Sequence, residues 1–335
     1  MITDRRMHDN LRTFLAGPGV SDEALLAEVS DAFGEPLLVV ASGSVLHGFG
    51  NAASDVDLHV VVDAQVTDFP ISSHGLGVAV DVTYVEAEWV RTASAVLREG
   101  GEERADSASW RAARSRLLRL ARLTFGAALA GTGPWRDWQA GMRPQVVDYA
   151  RDWWRGETLR CRTAARLLAP ARPMAAAVRW CDAATAALDV VATEAGQTYV
   201  GPKWLGLKLE RLGRADLVAE YAALMDLPLR EREVAAYRDR AEGLITRLTA
   251  HRPLPDDPLV TVRLAEGTST WRVHDRALVQ RWGLRGVELA AADPAADPNL
   301  SWSGRVSAVT PDLRRLIEQD LVWLSVHEEG RDGGA

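Results

Sequence analysis

The chain has 335 residues, 47% of them hydrophobic and 25% charged, with a formal net charge of −7. At roughly 150 residues per domain, that length predicts two domains or three. The composition excludes a disordered, collagen-like or low-complexity chain, and no apolar run reaches the roughly 18 residues needed to span a bilayer.

Residues 1–20 read as a polar lead closed by Gly17, Pro18 and Gly19. Ser21 is placed to cap a helix that runs to Phe33, with Gly34 as its stop. The continuous apolar run from Pro36 to Ala41 reads as a buried strand. Two valine-rich segments, 56–62 and 78–85, read as further strands, and 86–98 as a helix. From about Ser107 the composition turns to Ala, Leu and Arg. Segments 108–130, 137–169, 171–195, 214–226 and 229–250 read as helices, separated by turn and breaker residues. Pro253 to Pro258 reads as a stiff linker. Beyond it the patterning predicts a hairpin of 259–264 with 269–273, a helix near 276–282, a helix at 311–319 and a last strand near 321–326. Gly330 to Ala335 reads as a frayed tail. The expected fold class is α+β: a small mixed-sheet domain over 1–106, a helical bundle over 107–252, and a small α+β domain over 257–330.

The stretch that carries chemistry runs from Gly43 to Leu58. A buried strand ends in Gly43-Ser44, and the residues after it can open a short helix. Glycine lets a backbone approach a ligand closely, and N–H groups at a helix start attract anions. Asp55 and Asp57 then stand two apart on a strand, so both point to one face. Carboxylates about 6–7 Å apart repel by about 2–3 kcal/mol at an effective dielectric of ~20. A divalent cation removes that cost, and an all-oxygen set favours magnesium or manganese. Asp81 sits inside the apolar strand 78–82, where an aspartate calls for a partner or a metal. If the two strands are neighbours, three carboxylates converge beside an anion-binding turn. That is equipment for metal-assisted nucleotidyl transfer.

Gly43, Ser44, Gly48, Ser54, Asp55, Asp57 and Leu58, in that spacing, resemble the signature of the DNA polymerase β-like nucleotidyltransferase superfamily. With Asp81 the resemblance covers the first 105 residues or so. The helical segment behind it is similar in kind to the aminoglycoside-nucleotidyltransferase branch. The resemblance implies that Gly43 and Ser44, with Ser54, hold the phosphates of ATP or another nucleoside triphosphate. It implies that Asp55, Asp57 and Asp81 bind Mg²⁺ or Mn²⁺, and that Asp81 also orients or deprotonates the attacking hydroxyl. Pyrophosphate would leave. Many relatives carry arginines between the positions of Ser44 and Ser54, whereas this chain has Val45, His47 and Asn51 there.

Lys203 is the candidate for that missing charge. Of 39 basic residues only Lys203 and Lys208 are lysines, and a compact ammonium suits phosphate. The other reading of Lys203 is a surface lysine at a helix start; Lys208 is expected to face elsewhere. His47 and His59 flank the cluster, with hydrogen bonding to neighbours as their simpler role. Glu86 and Glu88 read as helix N-terminal acids or as contacts to a substrate amine. Arg111, Arg114, Arg119 and Arg122 read as a solvated or ion-paired helix face, with a nucleic-acid stripe as the alternative. Trp153, Trp154 and Trp204 read as packing residues. Cys161 and Cys181 are too few for a four-thiolate zinc site and read as buried small hydrophobes.

The expected function is transfer of a nucleoside monophosphate, AMP from ATP first, to a hydroxyl of a small-molecule acceptor. The acidic balance suits a cationic acceptor and counts against nucleic acid as a partner. The absence of an apolar leader after Met1 makes a cytoplasmic protein with no membrane partner the expectation. The alternatives are a transferase that adds AMP to a protein, and a non-catalytic nucleotide sensor whose 257–330 domain recognises a partner.

Overall fold

The structure, a computed structural model, describes residues 4–29, 33–66, 70–99, 105–282 and 285–328. The chain divides into two compact units. One is built on residues within 1–100, 115–151 and 192–208, the other on residues within 101–114, 152–191 and 209–328. The chain is of the α+β class, as its sequence predicts.

The first unit opens with α1 (Asp4–Ala16) and α2 (Asp22–Ala27). The lead expected to be irregular is thus helical from Asp4, because Met7, Leu11 and Leu15 recur every fourth residue and all three are buried. The Ser21 side chain accepts from the Ala24 N–H and caps α2, as expected. The helix stops at Ala27, short of Phe33; residues 30–32 of the expected helix lie outside the described residues.

The strands β1 (Leu38–Ser42), β2 (Val56–Val62), β3 (Ile71–Ser73) and β4 (Val80–Glu86) follow, then α3 (Ala87–Glu99) and α4 (Ser107–Phe125), of which the part after Arg114 belongs to this unit. The helix expected over 108–130 ends at Phe125, and the chain enters the sheet as β5 (Ala127–Gly131). Gly126 permits this: a Cβ there would sit 2.2 Å from Val40 Cγ1 and 2.4 Å from the Ala41 carbonyl oxygen. Pairing with β1 overrides the helix propensity of Ala127 to Ala130. The sheet order is β3-β4-β2-β1-β5, with β2 and β4 parallel and the other pairs antiparallel. One face carries Val39, Ala41, Val56, Leu58, Val60, Val80 and Val82, which pack with Leu11, Leu15 and Leu25 into the core. The helix α5 (Gly133–Leu168) follows β5 and begins in this unit.

The second unit takes most of α6 (Pro173–Glu194) and the end of α7 (Leu205–Arg211), then α8 (Ala215–Met225) and α9 (Glu231–Leu248). Polar hubs bind its helices. Glu242 of α9 accepts from Arg162 Nε at 2.8 Å, Arg166 Nε at 3.1 Å and Trp180 Nε1 at 3.2 Å. The expected linker is anchored through Asp256, which pairs with the same two arginines. Trp153, Trp154, Cys161 and Cys181 are buried as expected.

The remaining elements are β6 (Leu259–Leu264), β7 (Thr268–Val273), β8 (Arg276–Arg281), β9 (Gly286–Ala290), β10 (Ser301–Arg305), α10 (Pro311–Glu318) and β11 (Val322–His327). Two expectations fail here. The hairpin of 259–264 with 269–273 does not form: β6 pairs with β10 and β11, and β7 pairs with β8. Val260 and Val262 are fully buried, which requires a central strand, while most of β7 is exposed. Residues 276–281 are a strand rather than a helix, since only Ala277 and Val279 are buried, with period two. The end of β11 is tied to the helices by Glu328, which pairs with Arg155 and Arg252 at 2.6 Å each. Arg160 lies over both the Trp110 and the Trp323 ring, which themselves meet at 5.6 Å. The tail from Gly330 lies outside the described residues.

Candidate metal and phosphate site

Strand register builds the centre of the site. On β2, Asp57 faces Ser42 of β1 on one side and Asp81 of β4 on the other; on β3, Ser72 faces Asp81 in turn. Directly paired residues share a face, so Ser42, Asp57, Asp81 and Ser72 form one polar row across four strands. The opposite face of these strands is the apolar core, so alternation alone puts the acids outside it. Asp55 precedes β2 by one residue and joins the row.

Carboxylate oxygens of Asp55, Asp57 and Asp81 lie within 4.8 Å of one another. They are closer than spacing along a single strand predicts, because Asp57 and Asp81 meet across strands. Unit charges at that separation repel by about 3 kcal/mol at an effective dielectric of ~20. Burial raises the Asp57 carboxyl above the ordinary carboxylate range, and Asp55 and Asp81 push it further; Arg122 and Lys203 oppose the rise. A three-carboxylate, all-oxygen donor set with this excess of negative charge fits a hard divalent cation. Ser72 Oγ donates to Asp81 Oδ1 at 2.5 Å and orients that carboxylate.

The turn after β1 is shaped around Asp57. Gly43 has φ +98°, a conformation that favours glycine, and a Cβ there would stand 2.5 Å from Asp57 Oδ2, so a side chain would displace the carboxylate. Residues 44–48 form hydrogen-bonded turns, with Gly48 N donating to Val45 O and Phe49 N to Ser44 O, rather than the short helix expected. Ser44 is buried within them. Ser54 acts locally: its Oγ accepts from Asn51 N at 2.9 Å, closing the turn that delivers Asp55. Glu86 accepts from the Val66 N–H, and Glu88 is placed against Arg91.

The segment 198–204 supplies the other wall. Tyr199 meets His47 edge-on at 5.2 Å and Phe49 at 5.9 Å, and Phe49 stacks on Trp204 at 5.8 Å. Lys203 is exposed, with Nζ 5.3 Å from the Trp204 ring, and its charge acts on Asp57. Lys208 plays a different part. It is almost wholly buried and donates to the carbonyls of Gly201 at 2.9 Å and Tyr199 at 3.4 Å, which fixes this segment.

Two contributors are illegible in the sequence. Ser72 belongs to a three-residue strand without a patterning signal. Arg122 belongs to the helix face read as solvated or ion-paired. In the structure Arg111 pairs with Glu266 and Arg119 lies over Trp89, while Arg122 lines a cavity with Ser42, Gly43, His47, Asp57 and Tyr199. His59, read as flanking the cluster, is 3% exposed, neither ring nitrogen has a hydrogen-bond partner, and burial, with Arg122 and Arg119 nearby, pushes its pKa down to about 3. It is a neutral ring beneath the acid row.

No protein-family model matches the chain, and no curated protein does. Among solved structures, a nucleotidyltransferase-like protein from Exiguobacterium sibiricum 255-15 aligns over 70% of this chain and 75% of its own, at 12% identity and a TM-score of 0.37. A match at that level assigns no chemistry. No helix among the described residues is long and apolar enough to cross a membrane.

Proposed function

We propose that this protein is a metal-dependent nucleotidyltransferase that moves a nucleoside monophosphate, AMP from ATP first, to a hydroxyl of a small-molecule acceptor. The observation that carries the reading is the convergence of Asp55, Asp57 and Asp81 beside the Gly43 turn. The resemblance of the Gly43–Leu58 run to the polymerase β-like signature supports the same chemistry. In this reading residues 1–106 are the catalytic domain, 107–252 a helical domain and 257–330 an α+β domain.

Asp55, Asp57 and Asp81 would hold Mg²⁺ or Mn²⁺, which, when bound, neutralises charge on the triphosphate and on the displaced oxygens. Gly43 and Ser44 admit the phosphates to the turn, Ser54 holds the loop that presents Asp55, and Lys203 offers a point charge to the phosphate tail. Asp81, oriented by Ser72, accepts the proton of the acceptor hydroxyl. The acceptor oxygen forms a bond to the α-phosphorus. The bond from that phosphorus to the bridging oxygen breaks, and pyrophosphate leaves with the electron pair.

A second reading has its own observation. Trp271 and Val273 on β7 and Trp282 after β8 are 60%, 63% and 93% exposed, which suits a partner-recognition surface. The test is incubation of the pure protein with magnesium, α-labelled ATP and a metabolite extract, with Asp57→Asn as control. Label in a new small compound, with wild type only, is the expected result. Label on protein would replace the acceptor class. No transfer from any of the four nucleoside triphosphates, with an extract that supplies hydroxyl acceptors, would refute the transferase.

A further inference from the structure

The sheet β7-β8-β9 has two outer edges, and they differ. Two hydrogen bonds fix which way its backbone groups face. Ala291 N donates to Asp275 O at 2.8 Å, and Arg281 N to Arg285 O at 3.4 Å, so Asp275 and Arg281 turn these groups toward the β9 side. By alternation Arg276, Leu278 and Gln280 turn theirs toward β7, where they pair with Val273, Trp271 and Ser269. The N–H and C=O groups of Thr270 and Arg272 therefore point out of the sheet. The matching edge of β9 is engaged: Arg315 Nη2 donates to the Glu288 carbonyl at 3.2 Å, and Asp293 N to the Ala290 carbonyl at 3.0 Å. Among the described residues no such bond reaches Thr270 or Arg272. Proteins blunt an exposed edge with proline, lysine or a bulge; β7 has none of these, and its register with β8 runs without a shift.

The side chains along this edge are of two kinds. On one face Trp271 stands opposite Leu278, with Val273 next along β7, and all three are exposed. On the other face Arg272 is exposed, and among the described residues its guanidinium has no hydrogen-bond, ion-pair or ring partner. From Thr268 to Ala290 the sequence carries four arginines against two acids, within a chain of net charge −7. We propose that the outer edge of β7 binds an extended peptide segment of a partner protein as a fourth strand, with apolar residues against Trp271 and Val273 and carboxylates against Arg272. Directly opposed residues share a face, so the segment alternates apolar and acidic residues. The backbone groups of Thr270 and Arg272 supply main-chain hydrogen bonds, and the alternate side chains supply selectivity. The positive balance of the sheet selects an acidic segment over a basic one. It also disfavours a second copy of β7, which would bring two net-positive sheets edge to edge. The surface stands on residues of the second unit and does not depend on the transferase reading.

The experiment is fluorescence anisotropy of the full chain with short labelled peptides that alternate valine with glutamate, or valine with lysine, at low salt. Wild type is expected to bind the glutamate peptide about fivefold or more tightly than the lysine peptide. Thr270→Pro removes an outward N–H and leaves the ladder to β8 intact, and is expected to weaken the glutamate peptide about tenfold or more. Arg272→Glu is expected to weaken the glutamate peptide and strengthen the lysine peptide, each about threefold or more, while melting as wild type does. If Thr270→Pro melts well below wild type, Arg272→Glu alone decides. Failure of wild type to bind the glutamate peptide would overturn the proposal. So would equal affinity for the two peptides, or glutamate-peptide affinity within twofold of wild type in Arg272→Glu. A wild-type dimer in sedimentation, split by Thr270→Pro and binding no peptide, would make the occupant a second copy instead. Binding of a single-stranded oligonucleotide in place of the peptide would replace the partner class. Asp57→Asn is expected to bind the glutamate peptide as wild type does, so failure of the transferase reading leaves this surface standing, and failure of the surface leaves the transferase standing.

Discussion

Gly43→Ala tests the geometry of the acid row most directly. The new Cβ would lie 2.5 Å from Asp57 Oδ2, where ordinary contact begins at 3.4 Å, so the carboxylate must retreat by about 0.9 Å. Gly43 also has φ +98°, and an L-residue in left-handed backbone costs about 1–2 kcal/mol. These two effects separate by comparison with Gly34→Ala. Gly34 has φ +88°, and a Cβ there would meet nothing within 4 Å, so it bears the backbone strain without the collision. Both variants are expected to melt roughly 2–8 °C lower than wild type. Only Gly43→Ala should lose catalysis. A displacement near 1 Å at a positioned group costs on the order of 10²-fold, equal to about 2.7 kcal/mol of activation free energy. The assay is magnesium-dependent transfer of label from α-labelled ATP, beside thermal melting of both variants. Transfer by Gly43→Ala within threefold of wild type would refute the argument that Gly43 is glycine for the sake of Asp57.

Two further outcomes follow from the charges. Glu242→Ala removes the acceptor shared by Arg162, Arg166 and Trp180 and is expected to cost about 2–3 kcal/mol, a fall of roughly 4–12 °C in Tm. Burial opposes ionisation of Glu242, but Arg166 and Arg162 hold its carboxyl below the ordinary value of 4.5. Its stabilisation is therefore full above pH 4.5 and is lost as pH falls through the lowered value, so the variant should show a shallower acid transition. Asp57 has the opposite sign. Its raised carboxyl stabilises the fold only when protonated, and that contribution disappears as pH rises through the raised value. At neutral pH without metal, Asp57→Asn should therefore melt at or above wild type. Added Mg²⁺ or Mn²⁺ should raise the Tm of wild type more than that of the variant. A lower Tm for metal-free Asp57→Asn would mean that the carboxylate is held by partners rather than crowded by like charges.

The local chemistry of this protein is legible in its residues. Valine alternation places Asp57 and Asp81 on strands, and an acid inside an apolar strand marks Asp81 as needing a partner. The spacing from Gly43 to Leu58 is what brings the proposed site to notice. Helices α5, α6, α8 and α9 are legible for the same reason: their apolar periodicity is local and long. Pairing across strands is not. Residues 259–264 and 269–273 have the pattern of a hairpin because strand segments and turn are adjacent in sequence, yet burial of Val260 and Val262 makes β6 a central strand with distant partners. The segment 127–130 has the composition of a helix because alanine favours one, and a free edge of β1 decides otherwise. The same holds at the site. Ser72 reaches Asp81 through register, Arg122 reaches the cavity through the placement of α4, and Lys208 grips two carbonyls through burial. Sequence determines what a residue can do and which face of its own element it takes. Which residues meet across elements depends on long-range burial and strand pairing, and only the tertiary structure decides that.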